Sequence, residues 1–184
     1  MTFVHPKHQL RDAELAPKRH FGQNFLADAS ISARIANEAA PAGTMHVVEI
    51  GAGLGALTKE LLDRCDSVTA IERDRDLISP LHATFAQDIA AGRLQVEECD
   101  AKTFGYVEHF AAEPRPATLV GNLPYQLTGV LLKRSIEVSQ LVSRCVFLVQ
   151  LEVADRLCAA PASKTYGALT VFLQAQYEVQ RAFV

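Results

Sequence analysis

The sequence has no tryptophan and only two methionines in 184 residues, and aromatic residues make up just 7% of it. Its four cysteines, Cys65, Cys99, Cys145 and Cys158, lie far apart, with no C-x-x-C pair and no histidine spacing of the zinc-finger kind. That excludes a disulfide scaffold, leaves no metal expected, and reads the thiols as buried apolar groups of a reducing compartment. No stretch approaches the ~18 apolar residues of a membrane span, and the N-terminus lacks the apolar run of a secretory signal, so a cytoplasmic protein is expected. An excess of basic charge is also missing: 18 Lys+Arg against 21 Asp+Glu give a formal net charge of −3. Any polyphosphate partner must therefore be met by local clusters.

What is present is a chain 49% hydrophobic, long enough to bury roughly 70% of its unfolded surface around one core. Residues 1–27 form a basic arm, with Lys7, Arg11, Lys18 and Arg19 interrupted by Pro6 and Pro17. Residues 28–184 form the folded unit. Ile31, Ile35, Ala36 and Ala39 share one helical face, predicting a helix over 28–40. Strand-like runs follow at 46–50, 67–71, 93–97, 117–121 and 144–149, separated by helical patterns. One of these repeats every four residues through Leu77, Leu81, Phe85 and Ile89, with Pro80 tolerable only near that helix's first turn; another runs from Thr128 to Leu141. The alternation predicts an α/β, doubly wound, mostly parallel Rossmann-like sheet with its ligands beyond residues 50, 71, 97 and 121. The chain ends at Tyr177–Val184 in what reads as a strand, with final strands of the sheet expected to be missing.

The first strand leads into Glu49-x-Gly51-x-Gly53-x-Gly55, where glycines permit a sharp turn and let a ligand approach backbone N–H groups. Position 56, the third glycine of a dinucleotide fingerprint, is Ala56, which argues against NAD. Glu72 ends the second strand, where a carboxylate can accept from both hydroxyls of a ribose. Asp100, after the third, can accept from an exocyclic adenine amine. Glycines and two acids suit an adenosine whose other end is a cationic sulfonium amino acid better than they suit a pyrophosphate. The fourth strand ends in Gly121-Asn-Leu-Pro-Tyr125. An adenine N6 lone pair is delocalised into the ring, and two acceptors on the N6 hydrogens relocalise it for attack on a methyl. The Asn122 side-chain oxygen and the Leu123 carbonyl are the candidates, Pro124 fixes the direction of that carbonyl, and Tyr125 can stack on the base.

These residues resemble the ribosomal RNA adenine-N6 dimethyltransferases, and within them the small-subunit group. The segments that carry the resemblance are Lys18-Arg-His-Phe-Gly-Gln-Asn-Phe-Leu26, Val48–Thr58, Gly121–Tyr125, Gln150–Leu157 and Lys164–Thr170, and the match as a whole extends over nearly the whole chain. The resemblance implies an S-adenosylmethionine-dependent enzyme of the class I methyltransferase fold that dimethylates adenines of small-subunit rRNA, naked or in an immature subunit. It implies cofactor contacts from Gln23, Asn24, Leu26, Gly51, Gly53, Glu72, Asp100 and Asn122, and catalysis by Asn122, Leu123, Pro124 and Tyr125. Lys18 and Arg19, just before the opening motif, are the candidate phosphate contacts. The family continues past Val184 into a further strand and a small helical domain, so this chain is expected to stop before that domain. Alternatives are the large-subunit rRNA methyltransferases of the antibiotic-resistance type, a non-catalytic RNA-binding, assembly or transcription factor on the same fold, and, least, a nicotinamide dehydrogenase.

Overall fold

The computed structural model describes residues 25, 26, 28–113 and 115–184. Five parallel strands form one sheet: β1 (His46–Ile50), β2 (Ser67–Glu72), β3 (Leu94–Glu98), β4 (Ala117–Asn122) and β5 (Arg144–Leu148), in the order β3-β2-β1-β4-β5. In register, Ile50 lies beside Ile71 on one side and Gly121 on the other, while Glu72 pairs with Glu98 and Asn122 with Leu148. The strand order reverses between β1 and β4, which opens a crevice beyond their carboxyl ends.

Helices cover both faces, which is why β1 is buried along its whole length, its polar His46 and Glu49 included. Its side chains alternate. Val47 joins one core with Ile35, Ala36 and Ala39 of α1 (Ala29–Ala39), Leu57 and Leu61 of α2 (Ala56–Leu62), and Leu81 of α3 (Arg75–Thr84). Val48 and Ile50 join the other, with Tyr106 and Phe110 of α5 (Tyr106–Ala112), Leu131 and Leu132 of α6 (Thr128–Glu137), Leu157 of α7 (Leu151–Leu157), and Leu173 of α8 (Ala168–Gln174). Helix α1 begins where expected because the Asp28 carboxylate accepts from Ser30 N–H at 2.8 Å.

Four expectations need correction. The predicted helix through Leu77 and Ile89 breaks at Phe85 into α3 and α4 (Ala86–Ala90), and Pro80 sits within α3, beyond its first turn. Pro80 offers no amide to the preceding turn, and the break turns the Phe85 ring onto Gly55, where a Cβ would lie 2.3 Å from it. Helix α6 ends at Glu137 rather than Leu141: the amides of Leu141 and Val142 both turn back to the Val138 carbonyl. Residues 178–184 form no strand, because their apolar side chains pack on the two cores without a hydrogen-bonded ladder; Phe183 also takes the Arg34 guanidinium at 4.0 Å from its ring centre. Of the thiols, only Cys65 is buried; the other three are half-buried. Among the described residues no helix is long and apolar enough to cross a membrane.

Candidate active site

A cleft open to solvent, with about 720 Å³ of non-atom space when the solvent at its mouth is included, lies at the carboxyl ends of β1, β2, β3 and β4. Its walls include Ile50, Gly51 and Gly53 after β1, Ile71 and Glu72 from β2, Asp100 and Ala101 after β3, and Asn122 and Pro124 from β4, with Leu127 and Leu131 closing one side. A smaller cavity adjoins it beneath the glycine loop, lined by Leu26, Glu49, Leu57 and Asn122 among others. Of the sequence-derived cofactor set, Leu26, Gly51, Gly53, Glu72, Asp100 and Asn122 all border these two spaces. Gln23, Asn24, Lys18 and Arg19 lie outside the described residues.

The loop after β1 is held by the strand beside it, since the amides of Gly51 and Ala52 both donate to the Ile71 carbonyl. Gly51 has φ +76°, and a Cβ there would meet nothing within 4 Å on the cleft side, so a side chain would project into the space the glycine leaves open. Glu72 braces this loop. Its Oε2 accepts from Gly53 N–H at 2.8 Å and its Oε1 from Asp74 N–H at 2.7 Å, which joins the glycine turn to the N-cap of α3. Burial lifts the Glu72 carboxyl above the ordinary range, against the pull of those backbone donors.

Asp100 is held differently. Its Oδ1 accepts from Lys102 N–H at 3.0 Å, while Oδ2 pairs with Arg73 Nη1 at 3.3 Å and Lys102 Nζ at 3.4 Å. Partial burial pulls its carboxyl upward, but the Lys102 amide and the two cations outweigh this and hold it below the ordinary value.

Beneath the loop, Glu49 is 1% exposed and accepts from the Thr58 hydroxyl of α2 at 2.6 Å. Desolvation pushes its carboxyl up to about 7, with the Thr58 bond opposing and the charge of Glu72 adding.

The segment after β4 is pinned at both ends. Leu123 N–H donates to the Leu148 carbonyl at 3.1 Å, and the Pro124 carbonyl accepts from Leu127 N–H at 2.9 Å and the Thr128 hydroxyl at 3.0 Å. The Leu123 side chain is buried, so only its backbone can serve a ligand; among the described residues no backbone N–H outside the regular elements reaches its carbonyl. Tyr125 stands 56% exposed beyond Pro124. At the preceding Gly121 a Cβ would lie 2.8 Å from the Ile50 carbonyl, so β4 approaches β1 as closely as only glycine permits.

Sequence reasoning missed Phe25, which borders both spaces and would sit 3.3 Å from a Cβ on Gly53, and Arg73, which borders the cleft opposite Asp100. Phe25 was inside a recognised motif, and Arg73 follows Glu72 directly; only the fold says which way each faces.

Comparison with known proteins gives a consistent result. Residues 15–182 match the family model described as ribosomal RNA adenine dimethylase. A ribosomal RNA small subunit methyltransferase A of Anaeromyxobacter sp. is 42% identical over 179 residues, which cover 95% of this chain and 62% of that protein. Its counterpart in Xylella fastidiosa is 41% identical over 169 residues, 91% of this chain and again 62% of the relative. The chain thus spans less than two thirds of the length of these curated relatives. Among solved structures, a dimethyladenosine transferase from Plasmodium falciparum matches with a TM-score of 0.67 and 27% identity over 82% of this chain and 52% of its own. The 23S rRNA methyltransferase ErmE matches with a TM-score of 0.58 and 31% identity over 72% of this chain and 50% of its own.

Proposed function

The chain belongs to the ribosomal RNA adenine dimethylase family, and from that premise we propose that it transfers methyl groups from S-adenosylmethionine to N6 of adenines in small-subunit rRNA, in the cytoplasm, during ribosome maturation. The observation that carries this reading is the meeting, around one cleft, of the glycine loop, Glu72, Asp100, Asn122 and Pro124. The small-subunit assignment rests on relatives near 42% identity that bear that name.

The residues present fit the cofactor: an open cradle over Gly51, two acids at neighbouring strand ends, and apolar walls. When bound, S-adenosylmethionine supplies a methyl group made electrophilic by its sulfonium. Glu72 accepts from the ribose hydroxyls with the lone pairs its backbone donors leave. Asp100 accepts from the adenine amine, for which Arg73 and Lys102 must yield part of Oδ2. Gly51 and Gly53 admit the methionine portion against backbone, and Gln23, Asn24 and Leu26 belong to the same set by their motif.

On the substrate side, the Asn122 oxygen and the Leu123 carbonyl accept the two N6 hydrogens and turn the nitrogen lone pair toward the methyl group. Pro124, anchored through its own carbonyl, keeps the Leu123 carbonyl aimed, and Tyr125 covers the base. Asn122 and the Leu123 carbonyl would hold the amine as it takes up the methyl group and would pass one N6 proton on to solvent. Positioning and electrostatic complementarity supply the rate, with no covalent intermediate on the protein. A second round replaces the remaining hydrogen. Lys18 and Arg19, in the arm over residues 1–27, contact phosphates beside the catalytic unit over residues 28–184.

The experiment is transfer of labelled methyl to immature small subunits and, in parallel, to protein-free large-subunit RNA. Label in the small subunit alone supports the proposal. Label in the large-subunit RNA alone moves the chain to the specificity that the ErmE likeness suggests. Label in neither, with the cofactor bound, leaves a binding protein on a methyltransferase fold and overturns the proposal for this chain.

A further inference from the structure

At the far end of the sheet from the cleft, the alternation of β1 turns His46 toward α5, and there it meets two further donor groups. His46 is 2% exposed, and its Nε2 lies 3.1 Å from Nε2 of His109. The carboxylate of Glu113, at the end of α5, lies 4.0 Å from His109 Nε2 and 3.7 Å from His46 Nδ1. One donor atom from each of the three residues falls within 4.8 Å of the others. Two imidazole nitrogens bound tetrahedrally to zinc at ~2.0–2.1 Å stand roughly 3.3 Å apart, close to the separation seen, and the partly exposed Glu113 carboxylate, 4.0 Å from His109 Nε2, moves inward to complete the set.

The tautomer is arranged for a ligand as well. Ser67 Oγ lies 2.8 Å from His46 Nδ1, and the Ser67 hydroxyl donates to the Met45 carbonyl at 3.3 Å. When the Ser67 hydrogen lies on that carbonyl, Ser67 accepts from His46 Nδ1–H, and the lone pair on Nε2 then faces His109. A second residue that fixes the imidazole in this way is the arrangement found around metal-ligating histidines.

We propose that His46, His109 and Glu113 bind one zinc-class divalent cation, with water at the fourth position, and that the ion clamps the end of α5 to the start of β1. Two imidazoles and one carboxylate are a donor set for zinc and its neighbours rather than for magnesium or calcium. The sequence led to no metal being expected, because His46 and His109 are 63 positions apart and no spacing motif joins them. The five residues of β1 separate this cluster from the glycine loop by roughly 16 Å, at ~3.3 Å per residue. Its role is structural and stands apart from the methyl-transfer reading.

The test is a Co²⁺ titration of the metal-stripped full chain, followed by visible absorption and calorimetry. One equivalent should bind with the intense bands of a tetrahedral site, and Zn²⁺ should displace it. His109→Ala should abolish those bands, Ser67→Ala should weaken binding about 10–100-fold, and replacing His5, His8 and His20 by Gln should change nothing. Should His109→Ala fail to fold by circular dichroism, Glu113→Gln, at a partly exposed position, takes its place. Absence of tetrahedral bands overturns the proposal. So does binding that survives His109→Ala, or binding that disappears with the three N-terminal histidines.

Discussion

Glu72 and Asp100 look equivalent in the sequence, two acids ending neighbouring strands, yet the structure gives them different duties that two isosteric substitutions separate. Glu72→Gln leaves one acceptor oxygen for two backbone donors, Gly53 N–H and Asp74 N–H. The new amide faces whichever donor it cannot accept from, and a buried N–H without a partner costs about 1–3 kcal/mol. Removing a carboxylate that burial already disfavours recovers part of that, so the net loss should be about 1–2 kcal/mol, or roughly 2–8 °C in Tm for a chain of this size. Loss of a charge-assisted bond to the ribose, about 1.5–3 kcal/mol, should weaken S-adenosylmethionine about 10–150-fold. Asp100→Asn keeps an oxygen for Lys102 N–H and gives up two partly exposed ion pairs, worth together no more than about 1 kcal/mol. Its stability should barely change, while its cofactor affinity should fall about 10–150-fold, because an amide NH2 replaces the Oδ2 that accepts from the adenine amine. Urea denaturation and calorimetric titration of both variants measure these quantities. Equal stability losses in the two, or wild-type affinity in Glu72→Gln, would refute the assignment of Glu72 as both loop brace and ribose acceptor.

Tyr125→Ala removes an exposed ring, so stability should stay within about 0.5 kcal/mol and cofactor affinity should not move, while kcat/KM for RNA falls about 5–150-fold through lost stacking; an unchanged kcat/KM contradicts a base contact. Glu49 gives a pH dependence of definite sign: its carboxyl is raised from 4.5 to about 7, so the stability it contributes is full below pH 4.5 and is lost as pH rises through 7. Glu49→Gln keeps the Thr58 bond without the buried charge, and its advantage in unfolding free energy, measured by urea denaturation, should grow from near zero at pH 4.5 to at most roughly 3 kcal/mol at pH 8; a gap that fails to widen refutes this. Gly121→Ala puts a methyl 2.8 Å from the Ile50 carbonyl and should cost about 1–3 kcal/mol by forcing β4 from β1, measured by the same denaturation; a neutral effect would mean the strands part easily at the switch point.

Much of this architecture was legible because parallel strands buried on both faces are short runs rich in β-branched and aliphatic residues, as His46–Ile50 and Ala117–Asn122 are, and because glycines and acids at successive strand ends lie together in such a sheet. Short helices were less legible. Over Tyr106–Ala112 only Tyr106 and Phe110 are buried, and over Leu151–Leu157 only Leu157, too few positions to establish a period. The break at Phe85 was hidden for the opposite reason, since the spacing from Leu77 to Ile89 continues through a ring that turns aside to cover Gly55. Tyr177, Val179 and Phe183 alternate as a strand would, but they face two cores instead of a partner strand. At the site, residue types and strand-end positions could be read directly, whereas Glu72 as a brace depends on a pairing across 19 positions that only the fold creates.

The most direct measurement is the nucleoside product. RNA methylated by the chain is digested and its nucleosides identified by mass spectrometry, for the wild type and for Asn122→Ala, with cofactor binding measured on both. The account predicts N6,N6-dimethyladenosine from the wild type, with the monomethyl form as its precursor, and neither from an Asn122→Ala variant that still binds S-adenosylmethionine. Methyl label on any other atom, or dimethyladenosine formed at the wild-type rate by Asn122→Ala, would contradict it.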